Sequence, residues 1–191
     1  MNKLLTLALL LCLPLLLAAA ELTLSLDLAA LDPVATELPA GWGALTAPGY
    51  PRLPVKTVNV VLPPQAANVT FSHQFSGLTT IPAPAPLLNP PFTDGERVLA
   101  GPAAQPGSAQ VVFRGLSHWG EVAYASFSVL PAIHSGAEWQ AWQQLQLGLS
   151  WDQPAETAVK ALPSVWQELA NKGFDPSDFF ANPQDLSKYY R

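Results

Sequence analysis

The chain has 191 residues, 49% apolar and 12% charged, with fourteen acidic residues against nine basic ones and a net charge of −5. That is long enough for one domain with a substantial core, and too acidic for an electrostatic grip on nucleic acid or anionic lipid. Twenty prolines and twelve glycines predict many turns and few long helices.

Residues 1–20 read as a secretory signal peptide. Lys3 supplies the positive start, residues 4–17 form a short apolar run, and Ala18-Ala19-Ala20 is a small-residue cleavage site. The apolar run is shorter than a membrane span needs. Cleavage after Ala20 removes the sole cysteine, Cys12, and with it disulfides, thiolate catalysis and cysteine metal ligands. The mature chain keeps eight basic and fourteen acidic residues, a net charge of −6, and is expected to be secreted, periplasmic or at the cell surface, with no membrane attachment.

In chain order, residues 22–28 alternate apolar and polar with period two, the signature of a strand with one buried face. A loop around Trp42 leads to Thr46-Ala47-Pro48-Gly49-Tyr50-Pro51-Arg52-Leu53-Pro54 and then to a β-branched run over 55–62, closed by Pro63-Pro64. Residues 68–75 alternate again, with Val69, Phe71, His73 and Phe75 on one face. The short link Gln65-Ala66-Ala67 predicts that this strand forms an antiparallel hairpin with 55–62. Pro82, Pro84, Pro86, Pro90 and Pro91 mark an extended segment, and 92–108 reads as a long loop, the first place to look for a contact surface. A short strand over 111–114 follows, then strands over 121–130 and 139–151, which the turn at His134-Ser135-Gly136-Ala137 predicts to be a hairpin. Trp139 and Trp151 share the core face of the last strand.

Past Asp152 the pattern turns helical. Val165, Trp166 and Leu169 stand at helical spacing before Gly173, while Asp175-Pro176 and Asn182-Pro183 each place a capping residue before a proline at the first helical position. The expected fold is all-β, an antiparallel, jelly-roll-like β-sandwich over 21–152 with a short helical tail or linker over 153–191.

Two strings carry a family resemblance. Ala47-Pro48-Gly49-Tyr50-Pro51-Arg52-Leu53-Pro54-Val55-Lys56-Thr57, with Val60 to Pro64 behind it, resembles a segment of the N-terminal propeptide domains of gingipain-like cysteine peptidases. Phe113-Arg114-Gly115, Val129-Leu130-Pro131-Ala132 and the strand to Trp151 are similar to that propeptide in order and spacing. The resemblance implies a β-sandwich that accompanies a secreted peptidase, assists its folding, keeps it inactive and is then removed. The caspase-like catalytic domain of that family is absent from these residues, so the partner is expected to be a gingipain-like cysteine peptidase, in cis in a longer product or in trans. On this reading Lys56 belongs to the motif and is not a catalytic base.

No carboxylate pair, phosphate loop or nucleophile elbow appears, so no catalytic activity and no cofactor are expected. His73, on an apolar strand face, is expected to be a core histidine, and His118 and His134, beside turns, are expected to be solvated; their spacing fits no metal template. For a partner that favours basic residues, as the resemblance implies for some members, the candidate contacts are Arg97, Arg114 and Arg191. The competing function is a glycan- or surface-binding module. Trp142 is its candidate, placed by strand alternation opposite the core face with Gln140, Gln144 and Gln146.

Overall fold

The structure, a computed structural model, describes residues 19–29, 31–33, 37–45, 52–82, 92–94, 97–99, 107–135, 137–152 and 159–191. The signal segment before Ala19, residues 46–51 of the proline-glycine motif and the proline-rich stretch 83–91 lie outside the described residues. The strands are β1 (Ala19–Asp27), β2 (Trp42–Ala44), β3 (Pro54–Val61), β4 (Ala67–Pro82), β5 (Phe92–Asp94), β6 (Arg97–Leu99), β7 (Gln110–Trp119), β8 (Val122–Leu130), β9 (Ala132–Ser135) and β10 (Glu138–Asp152). Two helices, α1 (Ser164–Asn171) and α2 (Asp185–Tyr189), follow, with a 3-10 turn at Pro176–Asp178 between them.

Two antiparallel sheets make the sandwich. The first is built on β10: β4 runs along its full length on one side, while β9 and β1 share the other, opposite residues 138–141 and 144–152 respectively. The second has the order β2-β3-β8-β7. Between them lies the main core, in which Leu24 and Leu28 meet Val58, Val60, Leu62, Val111, Ala125, Phe127, Val129, Leu145, Leu147, Leu149 and Trp151. A second cluster at one end joins Leu31, Leu53, Leu130, Ala132, Trp139 and Ala141, with Ile81 against it.

Both expected hairpins are corrected. Strand β3 pairs with β2 and β8, whereas β4 pairs with β10 in the opposite sheet. The link between them is a tight turn, closed by Ala66 N donating to the Pro63 carbonyl at 3.0 Å, but it carries the chain across the sandwich. Loop length alone does not separate a turn within a sheet from a turn between stacked sheets. Likewise β8 and β10 lie in different sheets. At Pro131 the chain passes from the second sheet to the first, and the pairing of β9 with β10 begins at Ser135 opposite Glu138.

The strand expected at 111–114 runs on to Trp119. Gly115, at φ +131°, permits a bulge that shifts the register between Phe113 and Gly115 and leaves Arg114 as the extra residue. Lys56 places its Nζ 5.4 Å from the centre of the Trp42 ring, across the β2–β3 pairing, which gives that lysine a packing role.

The tail packs on the outer face of the second sheet. Residues Val58, Val60 and Leu62 face the first sheet, while Val61 joins Val122, Trp166, Phe180, Leu186, Tyr189 and Tyr190 in a further core. Strand β3 is therefore buried on both faces, which is why it reads as a continuous β-branched run and not as an alternation. Asn182, with no exposed surface, accepts from Val61 N at 2.7 Å and donates to the Val61 carbonyl at 3.1 Å and to Asp185 Oδ2 at 2.8 Å. Its amide thus mimics a neighbouring strand along the stretch of β3 that β2 does not cover. Ala181 N donates to the Asn59 carbonyl at 2.8 Å and Asn59 Nδ2 to the Phe179 carbonyl at 3.2 Å, extending the same seam. At the end of the β3–β8 ladder the Tyr190 hydroxyl accepts from Ala123 N at 2.8 Å and donates to the Leu62 carbonyl at 3.1 Å. Burial pushes that phenol above its ordinary range.

The Asp175 cap is as expected: its Oδ1 accepts from Ser177 N at 2.8 Å, and that bond holds the carboxyl below the usual carboxylate range. Asn182 is corrected. Its side chain is spent on β3 instead of the helix start, and α2 begins after Gln184 with no side-chain cap.

Candidate partner-contact surface

The sandwich is closed by the tail on one face and open along one side. Strand β4 is the last strand of the first sheet and β7 the last of the second, and the two edges stack, as Phe71 lies 6.1 Å from Phe113 and 5.4 Å from Phe127. His73 sits between Phe71 (6.1 Å) and Phe75 (5.8 Å), ring centre to ring centre.

Here the expectation for His73 is overturned. The residue is on the inward side of β4, but β4 is a border strand, so the imidazole is exposed. His118, on β7, is exposed as expected, whereas His134 is buried, its ring 5.5 Å from Trp139. Its place beside a turn was a poor guide, because β9 is folded into the end cluster. Among the described residues no three histidine, cysteine or carboxylate side chains come close enough to hold a metal ion.

The four candidate contacts stand on separate elements. Residues 92–108, expected as a loop, contain the two short strands β5 and β6, paired so that Asp94 lies opposite Arg97. Arg97 is the first position of β6. Strand β4 ends at Pro82 opposite Glu138, and β7 begins at Gln110 opposite Leu130. Arg114 is exposed at the β7 bulge, and a bulge re-aims a side chain on an otherwise regular strand.

Arg191 is exposed too, but its backbone is engaged: its N donates to the Lys160 carbonyl at 2.9 Å and its carbonyl accepts from Leu162 N at 2.9 Å. A peptidase needs an extended, unpaired substrate, so that residue is a poor scissile site while the tail is docked. Trp142 is half-buried, its ring 6.1 Å from that of Phe75. Trp119 packs edge-on against Trp166 at 4.7 Å and tilted against Phe179 at 4.5 Å, in the tail core.

Sequence reasoning missed Asn182 and Tyr190 as docking residues. A buried asparagine that completes a strand edge leaves no spacing signal.

Among the described residues no helix is long and apolar enough to cross a membrane. No protein-family model matches the sequence, and no curated protein matches it. Solved structures do resemble it. The complex of Porphyromonas gingivalis RgpB pro- and mature domains contains a chain that superposes with a TM-score of 0.53 at 8% identity, covering 86% of this chain and 92% of that one. A structure addressing the zymogenic latency of gingipain K from the same organism gives a TM-score of 0.42 at 12% identity, covering 60% of this chain and 72% of that one. With two antiparallel sheets and a match across nearly the whole of both chains in the first comparison, the fold is that of a gingipain propeptide-like domain.

Proposed function

We propose that this chain is a secreted, non-catalytic prodomain-like module that inhibits a gingipain-like cysteine peptidase and assists its folding, with Arg97 as the residue offered to the active-site cleft. The observation that carries the reading is the position of Arg97 on a two-stranded sheet set apart from both main sheets. A narrow strand pair can enter a cleft that a sandwich edge cannot, and an arginine on it suits a pocket that selects basic side chains. Arg114, exposed at the bulge of the open β7 edge, is the second candidate contact. The likeness to a chain of the RgpB pro- and mature-domain complex supports the same reading at the level of fold.

The test is inhibition of a gingipain-like, arginine-selective peptidase by the mature chain. We expect slowing at or below about 1 μM, and Arg97→Ala to weaken it at least about tenfold, a loss of roughly 1.4 kcal/mol. Full peptidase activity in about 10 μM mature chain, far above the expected constant, would reject the reading. For the folding role, refolding yield of the denatured peptidase should rise when the mature chain is present.

A further inference from the structure

We propose that the open edge formed by β4 is a homodimer interface, in which two copies of the mature chain pair antiparallel through residues 70–76 about a twofold axis perpendicular to the sheets. This proposal does not depend on the inhibitor reading.

The first ground is that, among the described residues, nothing protects β4 over 70–76. A border strand exposes unpaired backbone donors and acceptors, and proteins blunt such edges with charge, proline, bulges or short length. Strand β7 has two of these devices, the Arg114 charge and the bulge at Gly115. Strand β4 is sixteen residues long, carries no Asp, Glu, Lys or Arg, and has no proline before its last residue. Its irregularities are at Asn68 (φ +49°), where the register against β10 shifts, and at Gly77 (φ +70°), so residues 70–76 form an uninterrupted stretch between them.

The second ground is where the exposed apolar surface lies. Of the six large apolar residues that are exposed among those described, four are on these two edges: Phe71 (36%), Leu78 (54%), Val112 (38%) and Leu116 (49%). Phe71 and Leu116, opposite the core residues Leu149 and Ala125, lie on the inward faces of these edges, and exposed apolar surface at a sheet border suits a contact.

The third ground selects a second copy as the occupant. A chain with a net charge of −6 after signal removal repels itself through most of its surface, and β4 is a long stretch where it does not. A neutral strip has nothing to attract a charged partner either. Under the twofold axis odd-numbered residues pair with odd-numbered ones, so the inward row Phe71, His73 and Phe75 meets the same row of the second copy. The two half-open cores then close on each other, with β7 brought alongside its own equivalent. An isologous contact of this kind needs only one self-complementary patch.

The experiment is sedimentation velocity with light scattering on the mature chain from about 1 to 100 μM, where a dimer with a low-micromolar constant is expected. His73→Glu, at an exposed position, sets two carboxylates close to the axis and should weaken the dimer at least about tenfold, with unchanged near-ultraviolet dichroism. Hydrogen exchange on the unmodified chain supplies a second readout, with slower exchange over residues 70–76 at high concentration than at low. A monomer at about 100 μM overturns the proposal, as does a dimer that His73→Glu leaves intact with exchange over 70–76 independent of concentration. A chain that is monomeric alone and uses this edge only with a peptidase overturns it as well.

Discussion

Asn182 concentrates more of the tail's attachment than any other single residue. Its amide saturates the N–H and C=O of Val61, and replacing it with Ala leaves both buried and unpaired. Each such group costs about 1–3 kcal/mol, so Asn182→Ala should lower stability by roughly 2–4 kcal/mol in urea unfolding. Asn182→Asp is a sharper probe, because it would set a carboxylate where the amide now donates to Asp185 Oδ2 at 2.8 Å. Two carboxylates at that distance cannot both ionise at low cost, so the new acid's folded pKa is raised. The variant should be near its best at acid pH and lose stability as pH rises through that value. Tyr190 has the same sign for a different reason. Burial raises its phenol above 10.0, so its contribution is complete below the unfolded value and declines as pH climbs past it. Tyr190→Phe should remove that alkaline decline, read as stability against pH between about 8 and 11, while costing about 1 kcal/mol at neutral pH.

At the scale of elements, the β7–β8 turn and α1 fit each other through a missing side chain. Gly120 (φ +52°) and Glu121 (φ +67°) form a two-residue connection of the kind whose twist matches a hairpin. A Cβ on Gly120 would collide with Val165 Cγ1 and lie 3.2 Å from Trp166 Nε1. Trp166 Nε1 donates to the Trp119 carbonyl at 3.1 Å, and Glu121 pairs with Lys160 at 2.7 Å, a bond that holds its carboxyl below the usual range. Gly120→Val should therefore lift α1, with faster hydrogen exchange over 164–171 and little change in the β3–β8 ladder. Elements of this kind were legible to different degrees. The alternation in β1, β4 and β10 and the helical spacing around Trp166 gave both type and face, because period is a local property. Strand partners were not legible: Pro63-Pro64 and Pro131 announce turns but not whether the chain stays in its sheet. Nor was β5–β6, since three-residue strands fall below any period.

For the whole molecule, the sandwich and the tail share one strand, β3, and this ties their stabilities together. Deleting the apolar contact between them, for example by Trp166→Ala, should cost about 3–5 kcal/mol and, in a two-state chain, shift one transition instead of creating a second. Two separate transitions in calorimetry would show that the tail is an independent unit. At this scale the sequence told fold class well and site poorly. Composition, prolines and strand count lead to a sandwich whatever the pairing. Arg97, Arg114, Arg191 and Trp142 differ only in what surrounds them, and surroundings depend on that pairing: Trp142 meets Phe75 and Arg191 is held at its backbone, neither of which can be read along the chain.

The seam between β3 and the residues around Asn182 also sets a clock. Val61 and Asn182 are 121 residues apart, and Leu62 and Tyr190 are 128 apart. A chain made from its amino end must therefore hold the hydrogen-bonding groups of Asn59, Val61 and Leu62 unfilled until residues 181–190 have appeared. Contacts of such long range form slowly, because the loop they close must be paid for in entropy first. During that interval the middle of the second sheet is a free edge, and the finished domain differs from its nearly finished precursor by one asparagine and one tyrosine falling into place.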